Sequence, residues 1–188
     1  MAITILGLGP GDAKFLTREA QEVLEGAPEV YLRTLEHPGV EFLPQHLTIH
    51  SFDLLYQQAE TFTEVYQAIA ERVLELGRRP AGVVYAVAGH PLVGERSVQL
   101  ILEGARREGM EVRLVPGLSF IDSALVALGV DALEGLQLVD AYELAQKLRL
   151  CRNEEVYVAY NLSNLSAKTQ VVRVSMDIPQ NLPPETVT

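Results

Sequence analysis

Apolar residues come in short runs that end at glycine-rich turns, and these runs alternate with stretches of helical period. Ala2 to Leu8 is an apolar run ending at glycines, the pattern of a strand buried on both faces of a parallel sheet. Thr17 offers an N-cap for a helix that carries Ala20, Val23 and Leu24 on one face. Glu29 to Arg33 predicts a second strand, ending in a polar turn around His37-Pro38-Gly39, and Leu47 to Phe52 a short third. The clearest helix runs from about Thr61 to Leu76. Phe62, Val65, Tyr66, Ile69, Val73 and Leu76 recur there at helical spacing, and Gly77 is expected to supply the stop.

Gly82 to Val87 is apolar on both faces and is expected at the centre of the sheet; it ends at Ala88-Gly89-His90-Pro91. A helix from about Glu95 turns Val98, Ile101, Leu102 and Ala105 inward and stops at Gly109. Glu111 to Val115 is the next strand and ends at Pro116-Gly117-Leu118-Ser119. Such alternation predicts a right-handed, doubly wound parallel sheet. Beyond Ser119 the pattern predicts a helix over Phe120 to Leu128, strands at Leu136 to Val139 and Val156 to Tyr160, and a helical stretch containing Tyr142 to Leu150. Leu162 to about Met176 has the length of a further helix, against which Val171, Val172 and Val174 argue. A boundary near Pro116 divides the chain into two small α/β subdomains, 1–115 and 116–188.

Composition narrows the function. With 15 Lys and Arg against 25 Asp and Glu, the net charge of −10 repels a phosphate backbone, so nucleic acid is not an expected partner. The Arg78-Arg79 pair reads as a solvated helix end. No stretch approaches the ~18 consecutive apolar residues of a membrane helix. The N-terminus lacks the basic region of a signal peptide and runs straight into a strand, which suits a cytoplasmic protein. A lone Cys151 also fits a reducing compartment and reads as structural. The four histidines, His37, His46, His50 and His90, lack metal-ligand spacing, so no metal is expected.

Three loops fall at the C-terminal ends of predicted strands: Gly7-Leu8-Gly9-Pro10-Gly11-Asp12, Ala88-Gly89-His90-Pro91 and Pro116-Gly117-Leu118-Ser119. Each alone is accounted for by the chemistry of a tight turn. Three on one edge point to a small-molecule site, because ligands of open α/β sheets bind outside those ends. A dinucleotide fingerprint fails, since Asp12 stands at its third glycine and Pro10 removes a backbone N–H. No Gly-Lys-Ser/Thr of a P-loop occurs.

Together these loops resemble the tetrapyrrole (corrin/porphyrin) methylase family of S-adenosyl-L-methionine-dependent methyltransferases. Ile5-Leu6-Gly7-Leu8-Gly9-Pro10-Gly11-Asp12, followed by Leu16-Thr17-Arg18-Glu19-Ala20, is similar to its first signature. Val84 to Pro91 is similar to the second, which usually ends Gly-Asp-Pro, and Val115 to Ser119 to the third. Arg33-Thr34 with His37-Pro38, Gly89-His90-Pro91, and Ser119-Phe120-Ile121-Asp122 more particularly resemble the methylase-like domain ahead of MazG-type nucleoside triphosphate pyrophosphohydrolases, whose own segment is not in this sequence.

The resemblance implies a cofactor cleft between two α/β subdomains. Gly89, His90 and Val93 would line one side with Ser119 and Phe120 beneath, and Ala159 and Tyr160 would meet the cofactor from the second subdomain. Asp12 matches a family position suggested to act in substrate handling or proton removal. Two departures stand out: His90 replaces the usual aspartate, and the second subdomain looks abbreviated between Tyr142 and Val156 and ends at Thr188. An unfinished sheet would leave an edge exposed or covered by a partner, and homodimerisation is an expectation on that ground. The expected activity is methyl transfer to an unidentified small molecule. The alternative is a non-catalytic cofactor- or nucleotide-binding module serving a MazG-type enzyme, which predicts binding without turnover.

Overall fold

The computed structural model describes residues 2–134, 136, 138, 156–160 and 170–174. The chain divides into two compact units, Met1–Phe120 and Ile121–Thr188.

The first unit is a five-stranded parallel sheet in the order β3-β2-β4-β1-β5. Its strands are β1 (Ala2–Gly7), β2 (Glu29–Leu32), β3 (Thr48–Ser51), β4 (Val83–Val87) and β5 (Glu111–Val115). Register pairs Ile5 with Tyr85 and Leu114, so β1 lies between β4 and β5, and β4 occupies the centre as its two-sided apolar run predicts. Alternate side chains enter two cores. Ile3, Ile5, Val83, Tyr85 and Val87 pack with helices α3 (Phe62–Gly77) and α4 (Arg96–Glu108) on one face. On the other, Leu6, Leu8, Val30, Leu32 and Ala86 pack with Ala20 and Leu24 of α1 (Arg18–Gly26).

Local chemistry fixes the helix ends. Thr17 caps α1 by accepting from the Ala20 N–H at 3.2 Å, and its hydroxyl also donates to the Pro116 carbonyl at 3.0 Å. Thr61 and Glu64 form a reciprocal capping box at the start of α3. Gly109 stops α4 with φ of 65°. Gly77 plays a different part from the expected stop. It is the last residue of α3, and a Cβ there would lie 2.5 Å from Ile3 Cγ1 and 2.8 Å from Met110 Cε, so its smallness serves packing against the sheet. Arg78 and Arg79 are both paired: Arg78 with Glu108 through two bonds of 2.9 and 2.7 Å, Arg79 with Glu29 at 2.6 Å. A short helix α2 (Asp53–Gln58) lies between β3 and α3.

In the second unit, α5 (Phe120–Leu128) continues from the last residue of the first, and a 3-10 turn spans Ala132–Glu134. Strand β6 (Val156–Tyr160) pairs antiparallel with β7 (Gln170–Val174). The β7 assignment corrects the helix expected over Leu162 to Met176: the β-branched Val171, Val172 and Val174 form strand. Gln137 and Val139 of the strand expected at Leu136 to Val139, the helical stretch at Tyr142 to Leu150, and Cys151 lie outside the described residues. Among the described residues no helix is long and apolar enough to cross a membrane.

Candidate functional site

The chain leaves β1 through α1 over one face and leaves β4 through α4 over the other, moving in opposite directions along the sheet. The strand order therefore reverses direction between β1 and β4, and doubly wound sheets hold ligands beyond the C-terminal strand ends at such a point. Two of the three glycine loops leave these strand ends, and the third leaves the adjacent β5.

The loops are locked together by their backbones. Gly9 and Gly89 form a two-way bridge: the Gly89 N–H donates to Gly9 O at 2.8 Å, and the Gly9 N–H to Gly89 O at 3.2 Å. A Cβ placed on Gly7 or on Gly117 would collide with the Gly89 carbonyl oxygen, so those glycines serve loop-to-loop packing. Gly89 differs. It has φ of 61°, and among the described residues the nearest atoms to a Cβ there are Leu118 O at 3.9 Å and Ser119 Cα at 4.0 Å, which leaves room above its α-carbon. Of the glycines that meet at this point, Gly89 is thus the one open to a ligand.

His37 ties a fourth segment to the same point. Its ring is buried, Nδ1 accepts from the Gly39 N–H at 3.1 Å, and Nε2 lies 3.1 Å from Gly9 O. With Nδ1 an acceptor, Nε2 carries the proton and donates to Gly9. Burial lowers the pKa of His37, Gly9 opposes that shift and Arg33 adds to it, so the neutral ring is favoured.

The expected site residues fall as follows. Gly89 and Ser119 are brought together at the loop bridge, and Ser119 is buried. His90 is half-buried, and its Nδ1 accepts from the Leu92 N–H at 3.0 Å. That is the backbone contact an aspartate at this position would make, so the replacement keeps the turn while removing a charge. Val93 donates its N–H to the His90 carbonyl at 3.0 Å and is half-buried. Phe120 opens α5 and is 43% exposed. Ala159 and Tyr160 lie on β6 in the second unit, paired with Val171 and Gln170. Asp12 is drawn into local structure, where Oδ1 accepts from the Lys14 N–H at 3.0 Å and Oδ2 pairs with Lys14 Nζ at 2.9 Å. That backbone bond, with help from the Lys14 side chain, holds its carboxyl below the usual range, which suits a fixed charge better than a proton acceptor.

Sequence reasoning missed a second carboxylate nearby. Glu95 precedes α4 and is buried, with its Oε1 3.1 Å from Nη1 of Arg33. Burial pushes its pKa up to about 7 despite the attraction of Arg33. Around the pair stand Tyr56, itself pushed up to about 12 chiefly by burial, and Tyr85, whose hydroxyl is 2.9 Å from Ser97 Oγ. Only the apolar period around Glu95 hinted at this, by placing a carboxylate at the start of an inward-facing helix.

Comparison with known proteins gives a consistent picture. A family profile described as Tetrapyrrole (Corrin/Porphyrin) Methylases matches residues 2–176. An uncharacterized Bacillus subtilis protein, YabN, is 41% identical over 144 residues, which is 76% of this chain and 29% of that protein. The chain therefore spans under a third of the length of that curated relative. The crystal structure of uroporphyrin-III-C-methyltransferase from Thermus thermophilus superposes with a TM-score of 0.66 at 25% identity, over 97% of this chain and 88% of that one. A structure of uroporphyrin-III C-methyltransferase from the same organism, complexed with S-adenosylhomocysteine, superposes with a TM-score of 0.56 at 20% identity, over 94% and 89% of the two chains.

Proposed function

Because this chain belongs to the tetrapyrrole (corrin/porphyrin) methylases, we propose that it is an S-adenosyl-L-methionine-dependent methyltransferase acting on a small molecule. The observation that carries the reading is the convergence of three glycine loops where the strand order reverses between β1 and β4, with Gly89 left open there. The loops fit the cofactor chemically. Left-handed Gly89 accommodates close approach of an adenosyl or amino acid group, buried Ser119 adds a hydroxyl, and the half-buried loop at His90 and Val93 supplies a wall.

The bound cofactor supplies a methyl group on a sulfonium, activated for in-line transfer to a nucleophile. The chain's task is then to position the acceptor and exclude water, which needs shape more than a strong base. Gly89, His90, Val93, Ser119 and Phe120 bind the cofactor from the first unit. Asp12, held ionised by Lys14, acts in substrate handling. The protein works in the cytoplasm, as a homodimer.

A second reading rests on the 41% identity to a relative more than three times as long as the matched stretch, together with His90 in place of aspartate. In it the domain binds the cofactor or a nucleotide without chemistry, on behalf of a MazG-type pyrophosphohydrolase in the parent protein. Incubation with methyl-labelled S-adenosylmethionine and a fractionated small-molecule extract separates the two. Label transferred to a small-molecule fraction supports the methyltransferase; saturable binding with no transfer across all fractions supports the binding module.

A further inference from the structure

The Arg33–Glu95 pair is an expensive way to join two segments. Glu95 is 5% and Arg33 24% exposed at the side chain, yet they meet through one contact of 3.1 Å. Arg33 Nε and Glu95 Oε2 are buried without a hydrogen-bond partner among the described residues. Burying charge so incompletely satisfied costs stability, and an apolar pair would fill the space without that cost. What the pair provides is a link from the segment after β2 to the start of α4.

That link closes a circuit. Arg33 follows β2, and its N–H donates to the Ala86 carbonyl at 3.0 Å. Four residues on, His37 donates to the Gly9 carbonyl. Gly9 is bridged both ways to Gly89, and the loop from Gly89 runs to Glu95, which returns to Arg33. The loop bearing Gly89 and His90 is therefore held at both ends, by Gly9 at its start and by Arg33 at its finish. Both holds come from segments that His37 ties together.

We propose that Arg33 and Glu95 are positioning residues, whose ion pair fixes the loop from Gly89 to Glu95 in the shape that receives the ligand. The ligand clause rests on the cofactor reading above; the loop-fixing clause does not. Facing the pair are Tyr56 of α2, Tyr66 of α3 and Tyr85 of β4, and Arg33 is the charge opposite Glu95.

The test is residue-resolved amide exchange in the ligand-free chain, for wild type, Glu95→Gln and Arg33→Met. The expected result is exchange at the Gly89 and Gly9 amides at least about tenfold faster in both variants, with the Ile69 amide of α3 unchanged. Unchanged protection at Gly89 in folded variants overturns the proposal, as does an equal loss throughout α3. If one of the two variants does not fold, the other decides alone. Titration with S-adenosylhomocysteine then tests the ligand clause: about tenfold weaker binding by Glu95→Gln supports it, and equal affinity overturns it. Failure of wild type to bind contradicts the cofactor reading, while the exchange data still decide the loop.

Discussion

Gly7 and Gly117 meet with no space for a side chain on either: a Cβ on Gly7 would lie 2.9 Å from Gly117 Cα, and one on Gly117 2.9 Å from Gly7 Cα. The contact joins the loop after β1 to the loop after β5, beside the Gly89 carbonyl. Gly117→Ala forces backbone apart and is expected to destabilise by about 1–3 kcal/mol in urea unfolding. Gly94→Ala, left-handed at φ 72° but with nothing within 4 Å among the described residues, meets conformational strain alone, about 1 kcal/mol. A smaller loss at Gly117 than at Gly94 contradicts the packing account.

His37 is expected to make the fold sensitive to acid. Its folded pKa is lowered, chiefly by burial, so the unfolded chain takes up the proton more readily. The stability it contributes is present above the unfolded value, about 6.5, and is lost as pH falls toward the folded one. His37→Gln removes that part of the slope and costs about 1–3 kcal/mol at pH 8 through the two lost bonds. Unfolding curves at several pH values check both.

Glu95 gives the opposite sign over much of the same range. Its pKa rises from 4.5 unfolded to about 7 folded, so its contribution is fully present below 4.5 and is lost as pH rises through about 7. Relative to wild type, Glu95→Gln is expected to gain on the order of 3 kcal/mol between pH 4 and pH 8, whatever its offset from leaving Arg33 unpaired. A difference curve parallel to the pH axis contradicts the raised pKa.

Thr61→Ala removes the reciprocal cap at the start of α3 and is expected to cost about 1 kcal/mol, measured as a lower urea midpoint with unchanged slope. An unchanged midpoint shows that the cap adds nothing to a helix already held by Ile69 and Val73 against the sheet.

The centre of the sheet was legible because β1 and β4 are buried on both faces. Val83 to Val87 and Ala2 to Gly7 carry apolar residues without a helical period, and nothing local competes with the strand reading. The short helix at Asp53–Gln58 was not legible: Leu54, Leu55 and Tyr56 adjoin one another, so no 3.6-residue face shows. Gly77 misled because a glycine at a helix end usually adopts a left-handed conformation, and here it instead clears Ile3. The loops of the site announced themselves through glycine, but what each glycine does depends on neighbours distant in sequence. Gly7 and Gly117 serve each other, and only Gly89 opens outward. Arg33 and Glu95 were invisible as a pair for the same reason, since only the folded sheet brings the end of β2 to the start of α4.

The most direct test of the cofactor site is calorimetric titration of the purified chain with S-adenosylhomocysteine. Wild type is compared with Gly89→Trp and with Gly26→Trp, a control whose added side chain meets nothing among the described residues within 4 Å at its Cβ. Saturable binding by wild type and Gly26→Trp, abolished in a folded Gly89→Trp, is the predicted result. Binding by Gly89→Trp as tight as wild type, or no binding by folded wild type, contradicts the account.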